Sequence, residues 1–194
     1  MDDANFDDQQ VIVQLQAGDL DALGILYDRY QHQVFRTALA ITHDKSAAED
    51  ILQECFIRVH RYAASIDPER PFSPWLYRVA INLSYTWTKR NKQLGISIDD
   101  FVDRLVSAPK HAPERYAERS ELRASIQQAI DNLPFGQRVV IVLHYLNGQS
   151  LKEIAQTLDC PVGTVKSRLY HARANLREQL GNVNWVTDIV HGYT

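Results

Sequence analysis

Apolar residues recur at three- and four-residue spacing almost throughout the chain, and no stretch alternates apolar and polar positions for long. That pattern predicts helices and no sheet. It is clearest over 46–62, where Ala48, Ile51, Leu52, Cys55, Phe56 and Val59 form one stripe. Ser46 with Glu49 three residues on has the form of a capping box and places the helix start there. Upstream, Leu20, Leu23, Leu26, Tyr27, Tyr30, Val34 and Leu39 predict a long helix. Downstream, Asp67-Pro68-Glu69-Arg70-Pro71 reads as a loop, because proline inside a helix removes a hydrogen bond and clashes with the preceding turn. A third helix, roughly 73–91, turns Leu76, Val79, Ala80, Leu83 and Trp87 to one side. These helices bury one another as a first domain, residues 8–92.

Over 93–115 the period fades, and Gly95, Pro109 and Pro113 punctuate the chain. This is a flexible linker, with room for a short helical turn near Phe101–Leu105. Helicity returns over about 114–131, with Leu122, Ile126, Ala129, Ile130 and Leu133 on one face. Pro134 opens the next helix at a position that tolerates proline, and Asn147-Gly148 ends it. Ser150 with Glu153 forms a second capping box. The expected fold is all-α: two small helical domains joined by the linker, the second (116–180) containing a helix-turn-helix. A tail, 181–194, follows; Trp185, Val186, Ile189, Val190 and Tyr193 leave open a frayed end, a docked helix or a partner contact.

The helix-turn-helix rests on residues 150–177. A short amphipathic helix (Leu151, Ile154, Ala155, Leu158) meets a break at Asp159-Cys160-Pro161, and a second helix turns Val165, Leu169, Ala172 and Leu176 inward. Ala155 supplies the small residue where the helices cross, and Val165 anchors the second helix about ten positions on. The outer face holds Thr164, Lys166, Ser167, Arg168, Tyr170, His171 and Arg173, residue types that meet phosphates and base edges in a major groove. Cys160 in the turn reads as a small buried residue rather than a reactive thiol.

The net charge of −3 carries no hint of nucleic-acid binding, but its distribution does. Asp2, Asp3, Asp7 and Asp8 make the N-terminus acidic, whereas 88–92 and 163–177 carry bases and no acid. Local basic surfaces can meet phosphate while the rest of the molecule repels it. Within 70–92, Phe72, Trp75, Tyr77, Tyr85 and Trp87 are interleaved with Arg70, Arg78, Asn82, Lys89, Arg90 and Lys92. Single-stranded nucleic acid is held this way, by rings stacking on unpaired bases and cations tracking the backbone. Tyr77 and Trp87 suit the core better than the surface.

Two pieces of the chain resemble the extracytoplasmic-function (ECF) sigma factors, in the order and at the separation that family has. One is Ala48-Glu49-Asp50-Ile51-Leu52-Gln53-Glu54-Cys55-Phe56 followed by Phe72-Ser73-Pro74-Trp75-Leu76-Tyr77-Arg78-Val79-Ala80-Ile81-Asn82. The other is Glu153-Ile154-Ala155 followed by Cys160-Pro161-Val162-Gly163-Thr164-Val165-Lys166-Ser167-Arg168-Leu169. The resemblance covers about 10–180 and implies a factor that directs core RNA polymerase to promoters. It implies that Asp50, Gln53 and Glu54 dock on the polymerase. Phe72, Trp75, Arg78, Asn82, Lys89 and Arg90 would melt and read the minus-ten element, with Asn82 at the position that helps hold a flipped-out base. Thr164, Lys166, Ser167, Arg168, His171 and Arg173 would read the minus-thirty-five element as duplex. It further implies an anti-sigma partner, often membrane-anchored, that covers both modules. His171 stands where a basic residue often stands in the family.

The remaining composition narrows the alternatives. Cys55 and Cys160 are far apart and in no CxxC pair, which argues against a disulfide framework and a cysteine-rich zinc site. Seven histidines are scattered without HExxH or an acidic or cysteine cluster at ligand spacing, and no Gly-rich phosphate loop or GxSxG occurs. The expectation is therefore no catalytic residue, metal, cofactor or small-molecule substrate. No apolar run approaches the roughly 18 residues of a membrane span, and the acidic start is unlike a signal peptide, which places the protein in the cytoplasm. The competing reading is a helix-turn-helix regulator that acts without polymerase; it leaves the aromatic helix unexplained.

Overall fold

The first module is held by the stripe the sequence displays. In the computed structural model, residues 7–93 and 125–181 are described. The expected turn near Phe101–Leu105, nearly all of the linker and the tail beyond Gly181 lie outside them. Four helices run over α1 (Asp8–Gln16), α2 (Leu20–Thr42), α3 (Lys45–Arg61) and α4 (Phe72–Gln93), with a 3₁₀ turn at Ala63–Ser65 before α4. Ile51, Cys55, Phe56 and Val59 of α3 are buried against Leu26 and Val34 of α2 and Phe72 and Leu76 of α4. The short α1, which the acidic N-terminal sequence does not announce, adds Val11, Ile12 and Leu15 to this core. Arg29 of α2 pairs with Asp8 at 2.8 Å. Such part-exposed pairs contribute about 0–1 kcal/mol, against about 1.5–3 kcal/mol for each large apolar side chain buried, so burial holds α1 in place.

The Ser46–Glu49 capping box is not formed. Asp44 caps α3, its carboxylate accepting from the Ala47 backbone N–H at 2.8 Å, so the helix begins at Lys45. Only His43 and Asp44 separate α2 from α3, and His43 makes the corner in the left-handed region at φ 57°.

The second module follows the expected order: a helical stretch at 125–131 (α5), the part of the expected 114–131 helix that lies within the described residues, then α6 (Phe135–Ile141), α7 (Leu151–Leu158) and α8 (Val162–Leu180). Beyond Ile141, α6 widens into one π turn, Val142–Leu146, and ends at Asn147-Gly148 as expected. Pro134 is the N-cap of α6 rather than its first helical residue.

The modules are not held apart. Ala40 and Ile41 of α2 and Tyr77 and Ile81 of α4 share one core with Ile130, Leu143, Ile154 and Val165. Polar contacts bind the rest of this seam. Arg138 donates to the carbonyl of Ile41 at 3.3 Å and to that of Asp131. The Asp131 carboxylate meets His43, which is also 3.1 Å from Gln127. Asn147 donates to the Thr37 hydroxyl at 2.8 Å. Tyr85 meets Phe135 edge-on at 4.8 Å. Tyr77, whose hydroxyl donates to Gln33 at 2.7 Å, is core as its sequence context implies, and burial pushes its pKa up to about 12.

Burial likewise pushes the Cys55 thiol up to about 12, against the smaller pull of Arg58. The reactive thiolate is therefore scarce at neutral pH. Cys160, expected to be buried, is only half-buried because it sits in the exposed turn, so Ellman's reagent is expected to modify it in the folded protein and to reach Cys55 only on unfolding. Prompt release of two equivalents of chromophore from native protein contradicts this.

Candidate nucleic-acid interface

The loop ahead of α4 is positioned by α1. The Gln16 side-chain amide donates to the carbonyls of Ala63 at 3.0 Å and Ile66 at 2.8 Å, which pins the chain before it turns through Asp67–Pro71. Asp67 accepts from the Glu69 N–H at 3.0 Å and pairs with Arg70 at 3.2 Å. The loop and the start of α4 wall a cavity of about 550 Å³ lined by Ile66, Arg70, Phe72, Trp75 and Arg78, with Gln156 and Asp159 of the second module on its other side.

The sequence-predicted residues fall into three groups here. Phe72 is only 1% exposed, with its ring edge-on to Tyr30 at 5.4 Å and stacked with Trp75 at 5.9 Å. The expectation that Phe72 offers its face to a base does not fit this geometry; it supports half-buried Trp75 from beneath. Tyr30 is fixed in turn by a hydrogen bond to Asp8, and burial, followed by that bond, raises its pKa. Asn82, Lys89 and Arg90 are exposed, as expected. Arg78, Asn82, Tyr85 and Lys89 stand at i, i+4, i+7 and i+11, so they make one stripe. That stripe runs beside the seam, since Arg78 and Tyr85 both touch the second module. Arg78 is not a free cation. Its guanidinium donates to the carbonyls of Thr157 at 2.9 Å and Gln156 at 2.6 Å, and lies 3.6 Å from the Asp159 carboxylate.

The helix-turn-helix is built as its spacing implies. Glu153 N–H donates to the Ser150 hydroxyl at 3.3 Å, and Ser150 N–H donates to the Glu153 carboxylate at 2.7 Å, closing the capping box. These bonds hold the Glu153 carboxyl below its usual range. Asp159 ends α7 in the left-handed region at φ 51°, and the chain re-enters helix at Val162. Val165, Leu169, Ala172 and Leu176 are buried. Lys166, Ser167, Tyr170 and His171 are exposed, and Tyr170 at 71% is the most exposed large apolar-bodied side chain among the described residues. Thr164 and Arg168 are half-buried at one edge of this face. The Arg168 side chain crosses Gly136, where an added Cβ would stand 3.4 Å from its Nε. At the other edge, Arg173 donates from Nε to the Tyr145 hydroxyl at 2.7 Å with its guanidinium over that ring. The face is thus flanked by two arginines laid on α6 and its π turn. Neither Gly136 nor Tyr145 is singled out by sequence pattern, since both belong to an element other than the one they brace.

On α3, Asp50 and Gln53 are exposed, and Glu54 is half-buried in an ion pair with Arg58 at 2.8 Å. Ile57, one turn on, is 42% exposed. Among the described residues no group of three or more His, Cys, Asp or Glu stands where it could hold a metal ion, and no helix is long and apolar enough to cross a membrane.

Two family models match the chain. The Sigma-70 region 2 model matches residues 26–93 and the Sigma-70, region 4 model matches 123–176. The ECF RNA polymerase sigma factor SigW of Bacillus subtilis (strain 168) is 36% identical over 181 residues, covering 87% of this chain and 94% of that protein. Among solved structures, CnrH in complex with the cytosolic domain of CnrY superposes with a TM-score of 0.68 at 26% identity, covering 89% of this chain and 96% of that one. The sigma factor RpoE in complex with the anti-sigma factor NepR from Bartonella quintana has the same fold, at a TM-score of 0.61 and 21% identity over 84% of this chain and 99% of that one.

Proposed function

This chain belongs to the ECF sigma factors of RNA polymerase, and from that membership we propose how its residues divide the work of promoter recognition. It is a sigma factor: it binds core polymerase and directs it to promoters, and no step of that work calls for a catalytic residue of its own. The single observation that carries the division is that one chain holds two chemically different surfaces, one a polar and basic helix face and the other aromatic and basic beside a cavity. The outer face of α8, with Lys166, Ser167 and His171 exposed and no acid among them, suits duplex DNA. The loop-and-α4 surface, with Trp75 at a cavity and Asn82, Lys89 and Arg90 beyond it, suits an unpaired strand.

In this reading the α8 face holds the minus-thirty-five element, with Arg168 and Arg173 braced at its edges for phosphate. The α4 surface holds the melted minus-ten strand, and Asp50, Gln53 and Glu54 dock on polymerase. An anti-sigma factor is the expected inhibitor, as in the solved RpoE–NepR complex, and its action belongs in the cytoplasm with the polymerase.

Run-off transcription tests the assignment: core polymerase with this protein is expected to initiate at promoters of its own genome, and absence of any transcript rejects it. The division of labour has its own test. Lys166→Ala is expected to weaken binding to upstream duplex about uniformly across sequences and to lower the salt slope by about one, the signature of a lost phosphate contact. Asn82→Ala is expected to leave duplex binding unchanged and to impair open-complex formation, read by permanganate footprinting. Equal loss of both activities in Asn82→Ala contradicts the division.

A further inference from the structure

We propose that α1 positions the single-strand site, and that Gln16, which does not line it, sets how sharply the protein distinguishes minus-ten sequences. The inference rests on the reading of the Phe72–Arg90 surface as that site.

The loop ahead of α4 supplies one wall of the site. Ile66, Asp67, Arg70 and Pro71 line the cavity that Trp75 also lines. Asp67–Pro71 belongs to no helix, and such segments are ordinarily among the more mobile parts of a fold. Here the segment is tied at its entry, its middle and its exit, and each tie leads back to α1. At the entry, Gln16 uses both amide hydrogens, one on the carbonyl of Ala63 at 3.0 Å and one on that of Ile66 at 2.8 Å. The Ile66 carbonyl shares a peptide plane with the Asp67 N–H, so holding it sets the direction in which the loop leaves. In the middle, Gln9 donates to the Glu69 carboxylate at 2.6 Å, and the Glu69 N–H donates to Asp67 at 3.0 Å. At the exit, Phe72 packs on Tyr30, whose hydroxyl is bonded to Asp8. The helix that makes these ties is itself fixed, since Val11, Ile12 and Leu15, the residue beside Gln16, are buried.

A wall already in place spares the strand the cost of ordering it. It also keeps a set separation from Trp75, and that separation is what selects one base over another. Selection is a difference of affinities, and a wall free to shift accommodates the wrong base nearly as well as the right one. Loss of the Gln16 amide thus erodes discrimination at the minus-ten element and leaves duplex reading by α8 untouched. The tie needs donors rather than bulk, because Gln16 faces two carbonyl oxygens. Glutamate has the same shape and sets a carboxylate against them; lysine restores the hydrogens.

The test uses holoenzyme reconstituted from core polymerase and the full-length chain, on a promoter of its own genome that the wild type transcribes. Single-base variants of the minus-ten and minus-thirty-five elements are compared by run-off transcription. Gln16→Ala is expected to lower the preference for the native minus-ten base about tenfold, as the loss of two preorganising hydrogen bonds implies, and to keep the minus-thirty-five preference. Gln16→Lys is expected to recover most of that preference. A cation acting on phosphate alone would raise transcription from every variant alike and leave the ratio low. Gln16→Glu is expected to fall below Gln16→Ala. Gln9→Ala removes one exposed bond and is expected to lower the preference about twofold. An unchanged minus-ten preference in Gln16→Ala overturns the proposal. Equal loss at both elements also overturns it, since that marks a merely structural role, as does a Gln16→Lys protein no better than Gln16→Ala. Should Gln16→Ala fail to fold, Gln9→Ala decides, an unchanged preference again counting against α1. Asn82→Ala in the same assay separates the two readings. If it too keeps the minus-ten preference, the single-strand reading fails; if it loses the preference while Gln16→Ala keeps it, only the role of α1 fails.

Discussion

Asp50→Arg is expected to lose binding to core RNA polymerase while the protein keeps its melting temperature. Asp50 lies on the exposed side of α3, opposite buried Ile51 and Cys55. With Gln53 one turn on and part-exposed Ile57 beyond, it forms a surface with charge at one end and an apolar anchor at the other. Interfaces of that kind place most of their energy in a few groups near the anchor. Reversing the charge changes the local balance by two units, and a like-charge juxtaposition costs several kcal/mol, or more than about a hundredfold in affinity. The fold does not share this loss, because arginine suits a helix interior at least as well as aspartate and no core side chain is touched. Glu54→Arg is a less clean test, since Glu54 also pairs with Arg58 within the helix. Fluorescence anisotropy with purified core polymerase reads the affinity and circular dichroism the stability; wild-type affinity in Asp50→Arg removes this face from the interface.

Arg138→Ala is expected to cause the largest stability loss of any single change at the seam. Arg138 is 6% exposed, yet it reaches the carbonyls of Ile41 and Asp131 and lies 3.7 Å from the Asp131 carboxylate. Truncation leaves those acceptors in a largely dry place and removes the cation that offsets Asp131. Breaking a buried pair in this way costs about 3–5 kcal/mol, a large part of the roughly 5–15 kcal/mol that holds a domain folded. Arg138→Met keeps the stem and its apolar contacts, and is expected to recover part of the loss. Urea unfolding monitored by circular dichroism gives both values, and a midpoint for Arg138→Ala within error of the wild type contradicts the role.

What the sequence made legible follows the range of the physics behind it. The α3 stripe and the inward face of α8 are visible because burial repeats every turn within one element. The Ser150–Glu153 box is visible because cap and helix are neighbours. The α3 cap is misread for the same local reason: Asp44 and Ser46 are both good caps, and the choice depends on where α2 delivers the chain through His43. The α1 helix is hidden because nine residues hold only Val11, Ile12 and Leu15 on their inner side, flanked by acids. The seam is hidden most completely. Arg78, Tyr85 and His43 are residue types that normally signal exposure or function, and their partners lie far along the chain in segments with their own periodicity. Phe72 shows the converse: an aromatic in a basic segment reads as a base-stacking ring, but only the positions of Tyr30 and Trp75 show that it is enclosed.

The core shared across the seam has a consequence for synthesis. Residues 7–93 contain every helix of the first hydrophobic cluster, so that half can fold while the ribosome is still adding the remainder. The second half completes its core with Ala40, Ile41, Tyr77 and Ile81, and these are already in place when it emerges. The earlier-made half thus offers a ready-made apolar surface on which the later one can complete its core.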